Sequence, residues 1–165
     1  MAKQELKVGA LAQEFSLKNQ ADSTVQLKDF RGKWVVLYFY PKDNTPGCTI
    51  EAMDFTKLSA DFGRMNAVVL GGSPDSCQSH TKFIKDKKLK VTLLSDPDHK
   101  LAETYGVWQK QQFMGKSFMG VVRSTFLIDP EGKLASIWNP VKAVGHADAV
   151  KSKLKELQKQ LTPAK

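Results

Sequence analysis

The chain has 165 residues, 41% of them hydrophobic, with 25 Lys and Arg against 17 Asp and Glu and a formal net charge of +8. That size and composition suit one domain with a conventional core, expected over residues 1–165, and exclude a disordered chain. No apolar run approaches the ~18 residues of a membrane-spanning helix, the longest strong one being Trp34 to Tyr40. The start "MAKQELKVGA" lacks the apolar core of a secretory signal, so a cytoplasmic location is expected.

In chain order, "WVVLYFY" (34–40) is short and continuously apolar, as a strand buried on both faces should be. Residues 49–62 read as a helix with Phe55, Leu58 and Phe62 on one face and Gly63 as its stop. "AVVLGG" (67–72) is a second buried strand. The next helix is expected to begin at "SPDSC", with Ser73 as N-cap and Pro74 in the first helical position, and to run to about Lys88. "DPDHKLAETYG" predicts a short helix from near Asp98. "VVRSTFLID" (121–129), the turn "DPEG" and "KLASIW" (133–138) predict an antiparallel hairpin. A last helix, 146–161, carries Val150, Leu154, Leu157 and Leu161 on one stripe.

This succession indicates an α/β domain whose first two strands are parallel, joined by a right-handed crossover. In such sheets chemistry gathers at the carboxyl ends of the strands, where helix N-termini also point. The only two cysteines, Cys48 and Cys77, follow the first and second strands and therefore belong to the same sheet edge. Two cysteines make no disulfide framework; they could be buried thiols, a redox pair or part of a metal site. Zinc is disfavoured, because His80, His99 and His146 are scattered, and no metal or other cofactor is expected.

The lysines are spread over most of the chain. The densest group, "KFIKDKKLK" (82–90), reads as a solvated face in preference to a nucleic-acid footprint. Cys48 stands out because a polar loop with two prolines and a glycine precedes it and a helix follows. A cysteine in the first turn of a helix sits among unsatisfied N–H groups at the positive end of the dipole, which favours the thiolate. A buried cysteine serving only as core filler would not need such a loop.

Pro41, Thr45 and Cys48 reproduce the P-x-x-x-T-x-x-C motif of peroxiredoxins, and "FYPKDNTPGCTIEAMDF" resembles their Q-type, bacterioferritin-comigratory branch of the AhpC/TSA-like proteins. "FSLKNQADSTVQLKDFRGKWVVLYFYP" resembles that branch's amino-terminal hairpin and first core strand. "LLSDPDHKLAETYGVW" and "RSTFLIDPEGKL" resemble its later segments, so the likeness spans most of residues 9–161. The resemblance implies a thioredoxin-like fold: a central mixed sheet flanked by helices, with an N-terminal β-hairpin. It also implies a cysteine peroxidase acting on hydrogen peroxide and organic hydroperoxides.

On that resemblance, Cys48 is the peroxidatic cysteine, Thr45 hydrogen-bonds the peroxide, Pro41 shields the site from water, and Arg123 is the active-site arginine. Preorganised donors in a dry pocket would stabilise the charge on the departing oxygen, and an arginine can fork across thiolate and peroxide together. The N–H groups of Gly47 and Cys48 would add to the donors. Glu51, one turn on, could pair with a basic neighbour or favour the helix start. Simpler roles stand beside these: a helix cap for Thr45, strand termination for Pro41, a strand-edge salt bridge for Arg123.

Attack leaves a sulfenic acid that condenses with a thiol or over-oxidises. Many Q-type members carry a resolving cysteine five positions after the first; Met53 stands there in this chain. Others use the following helix, where Cys77 is the one candidate, although nearer the helix start than the branch implies. A disulfide needs Cα atoms within about 7 Å, so the first turn of helix 49–62 or the start of helix 73–88 is expected to unwind. The alternative is resolution by an external thiol. The resemblance implies thioredoxin or a similar thiol as reductant, and a monomer is favoured over a weak dimer. A thiol–disulfide oxidoreductase would want C-x-x-C, where Glu51 stands instead of the second cysteine. A basic nucleic-acid-binding module is the remaining, different class.

Overall fold

The computed structural model describes residues 6–161; residues 1–5 and 162–165, the ends of the expected domain and half of the "MAKQELKVGA" start, lie outside the described residues. Its central sheet is seven-stranded. β1 (Ser16–Asn19) and β2 (Thr24–Gln26) form the amino-terminal hairpin, and a 3-10 helix (Leu27–Phe30) leads to β3 (Trp34–Phe39). α1 (Pro46–Lys57) and α2 (Ser59–Arg64) connect to β4 (Ala67–Ser73), and α3 (Cys77–Lys87) connects to β5 (Thr92–Ser95). After α4 (Lys100–Thr104) come a separate hairpin of β6 (Trp108–Phe113) and β7 (Lys116–Val121), then β8 (Ser124–Ile128), β9 (Leu134–Trp138) and α5 (His146–Leu161).

The sheet order is β2-β1-β5-β4-β3-β8-β9. β3, β4 and β5 are parallel, as helical crossovers require, and the remaining pairs are antiparallel, so the sheet is mixed. All six residues of β3 are buried because its two faces feed two cores. Trp34, Val36 and Tyr38 point to one, with Phe55 of α1, Phe62 of α2, Phe83 of α3 and Val150 and Leu154 of α5. Val35, Leu37 and Phe39 point to the other, with Leu27, Leu101 and Tyr105. A period of two along a strand produces this division.

Several expected boundaries move. The helix expected over 49–62 starts at Pro46 and breaks at Leu58 (φ −96°, ψ 5°), after which Phe62 still packs 6.0 Å from Phe55. Gly63 lies inside α2 and does not stop it; the turn to β4 is made at Asn66 (φ 58°), a residue that tolerates the left-handed region. Ser73 does not cap α3. It ends β4, and Ser76 is the cap, its Oγ accepting from the Ser79 N–H at 3.1 Å. The helix expected from near Asp98 begins at Lys100 and is capped by Asp96, which accepts from the N–H groups of Leu101 and Ala102.

The strand expected over 121–129 begins at Ser124, because Val121 already closes β7. Neither β5 nor the β6–β7 hairpin was legible: the first is four residues long and the second is largely polar and exposed. A signal for the hairpin does exist. Its two-residue turn, Met114 (φ 52°) and Gly115 (φ 80°), has the positive dihedrals that tight hairpins demand. On α5, Val150 and Leu154 are fully buried; the side chain of Leu161, last on that stripe, is outside the described ones. Among the described residues no helix is long and apolar enough to cross a membrane.

Candidate active site

β3 ends at Phe39 beside Gly72 of β4, and the chain then leaves the sheet edge through Tyr40 to Thr45. Thr45 holds the N-cap position of α1 with extended backbone (φ −84°, ψ 155°). Its side chain makes no capping bond; the hydroxyl donates to the Lys42 carbonyl at 2.9 Å and closes a turn over 42–45. Pro46 suits the first helical position, having no N–H to lose. The Thr49 N–H to Thr45 carbonyl bond, at 2.8 Å, starts the helical ladder. The N–H groups of Gly47 and Cys48 precede it and face out of the helix end.

Cys48 is 1% exposed and belongs to the core that α1 buries. Arg123 reaches it from the linker between β7 and β8: its Nη2 donates to Cys48 Sγ at 3.3 Å and its Nη1 to Glu51 Oε1 at 2.8 Å. The guanidinium thus spans one turn of α1, from sulfur to carboxylate. Gly47 makes room for it, since a Cβ there would stand 3.0 Å from Nη2. The salt-bridge role for Arg123 and its approach to Cys48 coexist, one nitrogen serving each.

Glu51 is fully buried, and its second oxygen has no hydrogen-bond partner among the described residues. Burial pushes its carboxyl up to about 7, against the opposing charge and hydrogen bond of Arg123. Burial also works against the charge on Arg123, but Cys48 and Glu51 more than offset it and hold the guanidinium above its ordinary range. Tyr38, stacked on Phe55 with centroids 4.8 Å apart, is raised well above the usual phenol range by burial and then by Glu51, Cys48 and Asp43. Gly71 lies beneath that ring: a Cβ there would come within 2.7 Å of it. On the α5 side, His146 Nε2 and Thr125 Oγ1 share a hydrogen bond of 2.7 Å, and burial, then Arg123, lower the imidazole to about 4.

The expected site residues do not all converge. Thr45, Gly47, Cys48, Glu51 and Arg123 share the start of α1. Pro41 is exposed on the loop before it, beside exposed Lys42 and Asn44. Cys77 opens α3, half-buried, with its sulfur 4.0 Å from Asp22 Oδ1 of the β1–β2 turn and beside Gln20, Ala21, Gln78 and Thr81. Both cysteines are free thiols, and Met53 is exposed on α1.

Sequence reasoning missed a buried polar cluster next to the loop. Asp43, 6% exposed, accepts from the Tyr40 hydroxyl (2.6 Å), the Ser79 hydroxyl (2.8 Å) and His80 Nδ1 (2.8 Å). In the sequence His80 is one of three scattered histidines; its place one turn after Cys77 and one before Phe83 is the available signal. Among the described residues, Asp43, Asp75 and His80 are the group whose ligand atoms lie close enough, within 4.8 Å, to hold a metal ion. One oxygen of each carboxylate already takes two hydrogen bonds: Asp43 Oδ2 from His80 and Ser79, and Asp75 Oδ2 from Ser73 and the Asp43 N–H.

An α/β sheet that presents a buried cysteine at a helix N-terminus, bridged by an arginine to a carboxylate, is the framework of a cysteine-based redox enzyme, and relatives narrow it further. The model of the AhpC/TSA family matches residues 8–137. Peroxiredoxin Bcp of Bacillus subtilis (strain 168) is 44% identical over 155 residues, 94% of this chain and 99% of that protein. A cysteine-to-serine mutant of Xylella fastidiosa PrxQ superposes with a TM-score of 0.89 at 35% identity, covering 94% of this chain and 99% of that one. The Xanthomonas campestris bacterioferritin comigratory protein, studied for its alkyl peroxide reduction in trapped intermediate and ligand complexes, superposes with a TM-score of 0.83 at 40% identity, over 87% of this chain and 91% of that one. The chain belongs to the AhpC/TSA family and is a peroxiredoxin of the Bcp/PrxQ type, a thiol-dependent peroxidase with a thioredoxin-like fold.

Proposed function

We propose that the whole chain, 1–165, acts as one peroxiredoxin domain that reduces hydrogen peroxide and organic hydroperoxides through Cys48. The observation that carries this reading is the contact of Arg123 Nη2 with Cys48 Sγ, the other nitrogen being held by Glu51. The alkyl peroxide reduction attributed to the Xanthomonas relative supports the same substrate class. The Cys48 thiolate attacks one peroxide oxygen: an S–O bond forms, the O–O bond breaks, and sulfur supplies two electrons. The departing oxygen takes a proton and leaves as water or an alcohol, with Cys48 as sulfenic acid. Arg123 and the N–H groups of Gly47 and Cys48 are the donors that stabilise charge on the reacting oxygens. The single hydroxyl proton of Thr45 is spent on Lys42, so its oxygen accepts the hydrogen of an incoming O–O–H group. Pro41, exposed on the loop before Thr45, is assigned the role of shielding the site from water.

The sulfenic acid then condenses with the Cys77 thiol, forming a disulfide and releasing water, and a dithiol such as thioredoxin restores both thiols. Cys77 faces Asp22 while Cys48 faces Arg123, so the start of α1 or of α3 unwinds for the bond to form. The same separation favours a second reading, resolution by an external thiol. Neither route calls for a metal or organic cofactor. A monomer in the cytoplasm fits the chain, and the spread lysines speak for a solvated surface over a nucleic-acid-binding face. Peroxide consumption measured for the parent and for Cys48→Ser tests the reading: loss in the variant is expected, and retained activity overturns it. Non-reducing mass spectrometry after one equivalent of hydrogen peroxide separates the routes. A Cys48–Cys77 linkage is the expected product, and thiol adducts or sulfinic acid on Cys48 in its absence would exclude it.

A further inference from the structure

The loop that carries Thr45 has no regular structure of its own, and most of it is exposed: Pro41, Lys42 and Asn44 all face solvent. One residue of it, Asp43, is pulled inside. Its N–H donates to Asp75 Oδ2 at 2.7 Å, and its carboxylate takes the hydrogen bonds from Tyr40, Ser79 and His80. His80 is fully buried, and its second nitrogen, Nε2, lies 2.8 Å from the Leu94 carbonyl of β5. A carbonyl oxygen only accepts, so Nε2 must carry a proton and donate. The ring is therefore fixed between β5 on one side and the loop on the other, without freedom to rotate. Asp43 sits in the middle of the turn that the Thr45 hydroxyl closes onto Lys42, and Thr45 is the residue from which α1 and Cys48 start.

We propose that His80, acting through Asp43, is a positioning residue for peroxide reduction: it holds the 42–45 turn so that the Thr45 hydroxyl stays aimed at the peroxide on Cys48. This rests on the peroxidase reading above. Neither residue touches sulfur or substrate. Their effect is confined to steps that need Thr45, which separates positioning from general support of the fold. Misplacement of a catalytic group by about 1 Å costs on the order of a hundredfold in rate, and an unbraced turn on an exposed loop can move that far.

The test compares two reactions of the same sulfur. Oxidation of Cys48 by hydrogen peroxide needs Thr45; alkylation by iodoacetamide needs only the thiolate. His80→Phe keeps the ring volume and loses both nitrogens. It should slow peroxide oxidation about 10- to 100-fold and leave alkylation within about twofold. In a Thr45→Val background it should cost nothing further, because the group it positions is already gone. Asp43→Ala should behave like His80→Phe, and Asp43→Asn, whose amide oxygen can still accept from the imidazole, should recover most of the rate. If His80→Phe does not fold, the Asp43 pair in the same two backgrounds carries the decision.

Additive losses in the Thr45→Val background, or equal losses in both reactions, overturn the proposal, and so does an Asp43→Asn variant as slow as Asp43→Ala. In each of these cases the parent still reduces peroxide. A parent that leaves peroxide untouched overturns the peroxidase reading itself.

Discussion

Arg123 Nη2 lies 3.3 Å from Cys48 Sγ although 75 positions separate the two residues. The guanidinium reaches the sulfur because Nη1 is anchored on the buried carboxylate of Glu51, 2.8 Å away. A lysine cannot make both contacts, since an ammonium is a point charge without the planar fork. Arg123→Lys should lower the second-order rate of Cys48 with hydrogen peroxide by roughly 10²- to 10³-fold, the loss typical of one preorganised donor. Stopped-flow tryptophan fluorescence would follow it; a loss below about threefold would mean the contact contributes little to the transition state.

Gly47 offers a test in which rate and stability part company. An alanine Cβ would stand 3.0 Å from Arg123 Nη2, closer than such contacts normally come, so the guanidinium must shift. Alanine also has the better helix propensity, worth about 0.5–1 kcal/mol over glycine. Gly47→Ala should therefore hold or raise the Tm while slowing peroxide reduction about tenfold. Equal activity in parent and variant would show that Arg123 tolerates the displacement.

Cys77→Ser isolates the second half of the cycle. The first oxidation of Cys48 should proceed at the parental rate, since the Cys77 sulfur lies against Asp22, away from Arg123. Turnover with a dithiol reductant such as thioredoxin should fall by about tenfold or more, with Cys48 trapped as sulfenic or sulfinic acid. Undiminished thioredoxin-driven turnover would remove Cys77 from the mechanism and leave the external thiol route.

Two buried groups near Arg123 make opposing contributions to stability with pH. Glu51, raised from 4.5 to about 7, keeps its proton in the folded protein where the unfolded chain has lost it. It therefore favours folding below pH 4.5, and that contribution is lost as pH rises through 7. His146, lowered from 6.5 to about 4, stays neutral in the folded protein where the unfolded chain is protonated. Its contribution is present above pH 6.5 and lost as pH falls through 4. Between about 4.5 and 6.5 the two slopes oppose, each at most about 1.4 kcal/mol per pH unit. Relative to the parent, Glu51→Gln should gain stability as pH rises through that window and His146→Gln should lose it. Urea titrations from pH 4 to 7.5 would show parallel curves if either group kept its ordinary pKa.

Much of the fold was legible because it depends on local patterns. The continuously apolar "WVVLYFY" is a strand covered on both faces, and the turn "DPEG" joins two strands that do pair. Boundaries were lost where a side chain had two uses. Ser73 looks like an N-cap, but its hydroxyl donates to Asp75 within the polar cluster, and Ser76 three residues later has the capping geometry. Polar strands with exposed side chains, such as β6 and β7, carry no burial pattern by which to be found.

By itself the sequence determined the segment around Cys48: a strand, a loop ending in Thr45-Pro46-Gly47, and a thiol in the first turn of a helix. Each of those follows from short-range rules of strand burial, proline geometry and helix capping. Tertiary structure alone decided what meets that thiol. Arg123 comes from a linker beyond four further strands, and Glu51 turns inward to hold it. Asp43 is drawn into the protein by a histidine 37 positions away. Such contacts arise from the order in which strands enter the sheet, and no local pattern along the chain encodes that order. The same order sets Cys77 against Asp22 of the β1–β2 turn, while Cys48 meets Arg123.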